Sequence, residues 1–222
     1  MVDVYLTPDE EAHAADIARE INANKARLHK KPRVWNPKVD ADTMRLQAMR
    51  SELALSKVLG LPWHPAILPG GDGKIDIRLP VPTRYGQTIQ VKMRTERERD
   101  LATDTLNFWD ELRADIYVLV WPTADGGGLT LVGWCQAADF WERIFSRPPV
   151  RMAGYKYEMK WDEELYDMDL LIEEVKRVND AALGGPVASA CGDLGQGPQW
   201  EEHAGAGGGL SVAAGDRAGA PA

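Results

Sequence analysis

With 222 residues and 44% apolar side chains, the chain has material for one globular domain with extensions. No apolar run approaches the roughly 20 residues of a membrane span, and MVDVYLTPDEEA at the start lacks the apolar stretch of a secretory signal, so the expectation is a cytoplasmic protein with no membrane partner. A net charge of −8 argues against a chain that coats a polyanion, yet Lys25 to Arg99 holds 16 Lys and Arg against 7 Asp and Glu, a local balance of +9 with −17 elsewhere.

Thr7-Pro8-Asp9-Glu10 reads as a helix start, with Thr7 as N-cap, Pro8 in the first helical position and Glu10 closing a capping box. The helix runs to about Leu28 on a modest apolar stripe of Ala14, Ile17, Ala18, Ile21 and Leu28, and KARLHKKPR leads out to breaks at Pro32 and Pro37. That basic exit suits contact with a phosphate backbone, and it equally suits a helix C-terminus, whose dipole attracts Lys and Arg. Asp40 or Asp42 caps a second helix that ends near Val58, before Gly60 and Pro62. Inside it, Glu52 has Ala48, Met49, Leu55 and Ser56 as neighbours one turn away, so its carboxylate points inward. Burying a lone carboxylate costs several kcal/mol, so Glu52 needs a partner, either a metal ion or an internal arginine.

The segment from Gly70 to Arg94 reads as a hairpin. In KIDIRL, Ile75, Ile77 and Leu79 alternate with Lys74, Asp76 and Arg78; in TIQVKM, Ile89, Val91 and Met93 alternate with Gln90 and Lys92. Pro80 and Pro82 are expected to stop the first strand and Gly86 to restart the chain. If the polar faces coincide, Asp76, Gln90 and Lys92 converge. Beyond the charged connection RTERERD, Thr103 or Asp104 caps a short helix carrying Leu106, Trp109 and Leu112. Residues 115–121, DIYVLVW, form a strand covered on both faces, and a turn at Ala124 to Gly128 leads to its partner LTLVGWC. A helix over AADFWERIF, a short strand in GYKYEMKW, and an amphipathic helix from Leu165 to about Ala182 complete the ordered part. The last helix packs on the domain or in a dimer interface. Gly and Ala supply 20 of the 39 residues from Gly184 to Ala222, which predicts a disordered tail. The expected division is 1–39, 40–147, 148–183 and 184–222, around an α/β (α+β) core with a central mixed sheet flanked by helices.

An acidic residue on one strand, followed on the next by Glu, Asp or Gln, any residue and then Lys, is the signature of the PD-(D/E)XK nuclease superfamily. Asp76 with Gln90, Val91 and Lys92 resembles it, together with the upstream helix bearing Glu52 in SELALSKVLGL and the later strand ADIYVLV. The likeness spans roughly Thr43 to Trp141, with Ile75 where the nominal Pro stands and Gln90 in place of the commoner carboxylate. It implies a restriction-endonuclease-like fold and hydrolysis of DNA phosphodiesters with Mg²⁺ or Mn²⁺. By the resemblance, Asp76, the Gln90 side-chain oxygen and the Val91 carbonyl bind the ion. Glu52 serves a second ion or a water, and Lys92 orients or deprotonates the attacking water. Cutting both strands at once would call for a homodimer. The same fold without activity would instead be a nucleic-acid or protein binding module.

Other chemistries find no support in the residues. Asp72 competes with Asp76 for the ligand role but lies in a Gly-rich turn, where Asp is common for backbone reasons. GGDGK lacks the leading Gly and the Ser or Thr of a P-loop. His13, His29, His64 and His203 show no metal-ligand spacing, and no G-x-S-x-G elbow is present. Cys135 and Cys191 are read as reduced thiols, and two cysteines do not hold an iron–sulfur cluster. Trp35, Trp63, Trp121, Trp134 and Trp141 could serve base recognition, but most are better assigned to packing.

Overall fold

In the computed structural model, which describes residues 1–28, 40–65, 75–104, 113–146, 150–152 and 154–183, helix α1 (Pro8–Arg27) begins as its sequence dictates. Thr7 Oγ1 accepts from the Glu10 N–H at 3.3 Å, and Glu10 Oε2 accepts from the Thr7 N–H at 2.7 Å, closing the capping box. Helix α2 (Ala41–Val58) is capped by Asp40, whose Oδ1 accepts from the Thr43 N–H at 2.8 Å. Asp42, the other candidate cap, accepts a hydrogen bond from Asn22 of α1 instead. Ala14, Ala18 and Ile21 of α1 pack on Met49 and Leu53 of α2, and Arg50 and Lys57 add ion pairs to Glu11 and Glu10.

Strands β1 (Val2–Val4), β2 (Ile77–Thr83), β3 (Gly86–Met93), β5 (Ile116–Pro122) and β6 (Leu129–Gln136) form a mixed sheet in the order β1-β6-β5-β3-β2. Its one parallel pair is β3 with β5, in register from Ile89↔Ile116 to Met93↔Val120. β4 (Leu101–Asp104), β7 (Val150–Met152) and β8 (Gly154–Met159) form a second, antiparallel sheet in the order β4-β8-β7. On one face of the main sheet, Ile77, Ile89, Ile116 and Val118 pack against Ala54 and Leu55 of α2 and against Met168, Leu171 and Val175 of helix α4 (Met168–Ala182). On the other, Tyr117, Leu119 and Trp121 pack against Phe140 of helix α3 (Ala137–Ser146), Leu101 of β4 and Met159 of β8. β5 is therefore buried on both sides, as its continuous apolar run predicts. A mixed sheet with helices on both faces agrees with the expected architecture at that level, and the described residues belong to one compact unit.

Three expectations are corrected. Pro80 and Pro82 do not end β2; the strand runs through them to Thr83, because β2 is an edge strand whose outer N–H groups need no partner, and its pairing is irregular between Arg78 and Thr83. The last helix starts at Met168 rather than Leu165, because Tyr166 pairs with Trp134 of β6 and the Asp167 carbonyl accepts from the Trp134 indole N–H at 2.9 Å. Thr103 and Asp104 lie in β4, a strand the charged sequence around it conceals. The predicted helix over Leu106, Trp109 and Leu112, the candidate Asp72, His29, Trp35 and the segment 184–222 lie outside the described residues. Trp121 and Trp134 are core residues, as expected, and Cys135 is buried and free of any disulfide. Helix α4 packs on the sheet, and no helix among the described residues is long and apolar enough to cross a membrane.

The middle of α4 is tied to the β2–β3 turn by Glu174, which is 4% exposed. Its carboxylate accepts from Arg177 at 2.8 and 2.9 Å and from the Arg84 N–H at 3.2 Å. The Arg177 hydrogen bonds lead in holding its pKa down, from an ordinary 4.5 to about 2, against the upward push of burial. A depressed folded-state value stabilises the fold above the unfolded pKa, and that contribution fades as pH falls from about 4.5 towards 2. In urea unfolding at pH 7, Glu174→Gln is expected to be about 2 kcal/mol less stable than wild type. The gap should close by about pH 2; a gap independent of pH would contradict the assignment.

Candidate active site

Asp76 is fastened to β3 on both sides of Gln90. Its N–H donates to the Ile89 carbonyl at 3.0 Å, and its Oδ2 accepts from the Val91 N–H at 2.6 Å. The ladder between β2 and β3 begins only at Ile77 opposite Ile89, so the carboxylate occupies the Val91 N–H that a longer β2 would have paired. An extended residue carries its N–H and C=O on the same edge, which turns the Val91 carbonyl towards the Asp76 side as well.

Gln90 and Lys92 lie on one face of β3, in register with Tyr117 and Leu119 of β5. Lys92 is half-buried, whereas Gln90 is 8% exposed and its Oε1 has no hydrogen-bond partner among the described residues. A buried acceptor left unpaired costs about 1–3 kcal/mol, so this oxygen is primed for a cation or a donor brought by a ligand. The alternation extends one step beyond the residues singled out in the sequence. Arg94, whose N–H still donates to the Val120 carbonyl at 2.9 Å, follows Gln90 and Lys92 on the same face. Reading TIQVKMR to its last residue with the same period of two would have found it.

Glu52 is inward-pointing, as expected, at 6% exposure. It stands on α2, which packs against the face carrying Ile89, Val91 and Met93, the reverse of the face that bears Gln90 and Lys92. The structure thus brings Asp76, Gln90 and Val91 together, sets Lys92 next in the Gln90 row, and places Glu52 on the helix behind the sheet.

A carboxylate, an amide oxygen and a main-chain carbonyl are hard oxygen donors of the kind Mg²⁺ and Mn²⁺ take while keeping several waters. The residues present therefore fit such an ion, and the buried, unpaired Gln90 oxygen is the observation that favours it. Among the described residues no group of three His, Cys, Asp or Glu side chains could hold a metal. Two of the three donors here belong to neither class, being an amide and a peptide carbonyl. Neither a protein-family model, a curated protein nor a solved structure matches the chain.

Proposed function

We propose that the protein is a metal-dependent nuclease that hydrolyses DNA phosphodiester bonds, as an endonuclease or a structure-specific, junction-processing enzyme. The observation that carries this reading is the buried Gln90 oxygen, without a hydrogen-bond partner among the described residues, on the residue next to Val91, whose N–H anchors the Asp76 carboxylate. Support comes from the mixed sheet with helices on both faces, an architecture that a restriction-endonuclease-like core would share, and from the +9 balance between Lys25 and Arg99. A divalent ion, when bound, supplies a polarised phosphate and a water made nucleophilic at neutral pH. Asp76, the Gln90 oxygen and the Val91 carbonyl hold it. Lys92, one step along the same row, orients or deprotonates the water and offsets the charge that grows on the phosphate oxygens.

The reading is tested by incubating supercoiled plasmid and a branched oligonucleotide with Mg²⁺, Mn²⁺ or EDTA. Cleavage with either ion and none with EDTA is the expected result. Binding without cleavage under every condition would favour the second reading, a silent domain of this fold that binds nucleic acid. That reading has its own observation, the 2.6 Å hydrogen bond that engages Asp76 in closing the end of β2.

Replacing Gln90 by Glu adds one negative charge to the donor set. Mg²⁺ binding by Gln90→Glu is expected to tighten about tenfold, read by calorimetry, because one more charge at contact distance in a half-buried site is worth about 1.4 kcal/mol or more. In EDTA the same variant should melt below wild type, since the new carboxylate is then buried without a counter-charge. Unchanged binding and unchanged melting would together remove Gln90 from the site.

A further inference from the structure

Arg94 is held at the exit of β3 by very little. Its guanidinium has five N–H donors, and among the described residues only Nε makes a hydrogen bond, to the Asp100 carbonyl at 2.9 Å. Its acidic partner, Glu158 on β8, stays 3.6 Å from Nη2, beyond hydrogen-bond reach. The side chain is nonetheless only 22% exposed, so much of the water that would satisfy the remaining donors is displaced. Burial, the largest influence, pulls its proton affinity below the ordinary value; Glu158 opposes this and Arg99 adds to it. Residues two apart on a strand lie about 7 Å from each other on one face, so the guanidinium follows Lys92 directly along the Gln90 row.

From this geometry we infer that Arg94 is a substrate-positioning residue that grips a backbone phosphate of DNA next to the one being cleaved. This rests on the nuclease reading and names a further contact of the same site. A planar guanidinium with unused paired donors matches two phosphate oxygens, which a lysine at the same place would not. Glu158, 3.6 Å away, holds the side chain in place by charge while leaving its paired Nη donors without a hydrogen bond to that carboxylate. The competing role is structural, a staple between the 94–100 connection and the second sheet.

Binding of a fluorescent DNA duplex in EDTA, from about 50 to 200 mM salt, separates the two roles. Arg94→Ala is expected to weaken binding about tenfold and lower the salt slope by about one, with Arg94→Lys between it and wild type. Glu158→Gln, which removes the competing carboxylate, is expected to tighten binding about threefold; a staple would instead only lose stability. Wild-type Kd and salt slope in both Arg94→Lys and Glu158→Gln would overturn the inference, and these two variants decide it if Arg94→Ala does not fold. Should wild type bind and cleave while the Arg94 and Glu158 variants match it, the inference falls and the nuclease reading stands. A wild type that binds neither the duplex nor the branched oligonucleotide, with or without Mg²⁺, overturns both.

Discussion

Lys92→Ala is expected to cleave plasmid DNA about 10³-fold more slowly than wild type while still binding it. The side chain sits one alternation from Gln90, on the face where the amide oxygen is buried, and in the proposed site its ammonium would meet a water or phosphate oxygen held against the Asp76 and Gln90 donors. General acid–base help and charge stabilisation each contribute about 10²- to 10⁴-fold, and removing Lys92 removes both. The fold should tolerate the change, because Lys92 is only half-buried and the register of β3 against β5 is set by Ile89, Val91 and Met93 on the other face. Lys92→Arg adds a finer test: an arginine keeps the positive charge but does not give up its proton, so partial activity would point to charge stabilisation and none to a base. Full activity in Lys92→Ala would remove it from the chemistry.

Gly86→Ala should cost about 3–4 kcal/mol or prevent folding, the largest stability effect expected from a single methyl group in this chain. Gly86 opens β3 at φ +127°, a backbone conformation that L side chains rarely adopt. A Cβ there would stand 2.2 Å from Asp115 Cβ. Asp115 cannot withdraw cheaply. Its Oδ2 accepts from the Gln87 N–H at 2.8 Å, the Thr88 N–H at 3.0 Å and the Thr88 hydroxyl at 2.8 Å, tying the start of β3 to the start of β5. Burial pushes the Asp115 pKa up, but these hydrogen bonds outweigh it and leave the carboxyl below its ordinary range. Denaturant unfolding of Gly86→Ala beside Asp115→Gly checks the account; the double variant should lose less than the sum of the two, because the Asp115 Cβ that the new methyl meets at 2.2 Å is then gone. A Gly86→Ala protein as stable as wild type would contradict it.

Gly86 and Asp115 also mark where the sequence stops being legible. The helix ends were readable because caps are local chemistry: Thr7, Pro8 and Glu10 satisfy one another within a single turn. β5 was readable because burial on both faces forces a continuous apolar run. The pairing of β1 with β6 and the existence of β4 were not, since three- and four-residue strands show too few alternations to stand out, and their partners are far away in sequence. Proline in β2 misled because tolerance for it depends on being at a sheet edge, which only the assembled strand order reveals. At the candidate site, the shared face of Gln90 and Lys92 followed from period two. The anchoring of Asp76 on Val91, just past the end of the ladder, needed the actual register.

The most direct measurement is Mn²⁺ binding, followed by electron paramagnetic resonance in the presence of a DNA duplex, for wild type and for an Asp76→Asn/Gln90→Leu double variant. Wild type is expected to immobilise the ion and the double variant to lose it while still binding the duplex, since the proposed donor set consists of those two side chains and the Val91 carbonyl. Equal Mn²⁺ binding by the two proteins, or none by wild type with or without DNA, would contradict a metal centre at the Asp76–Gln90 end of the hairpin.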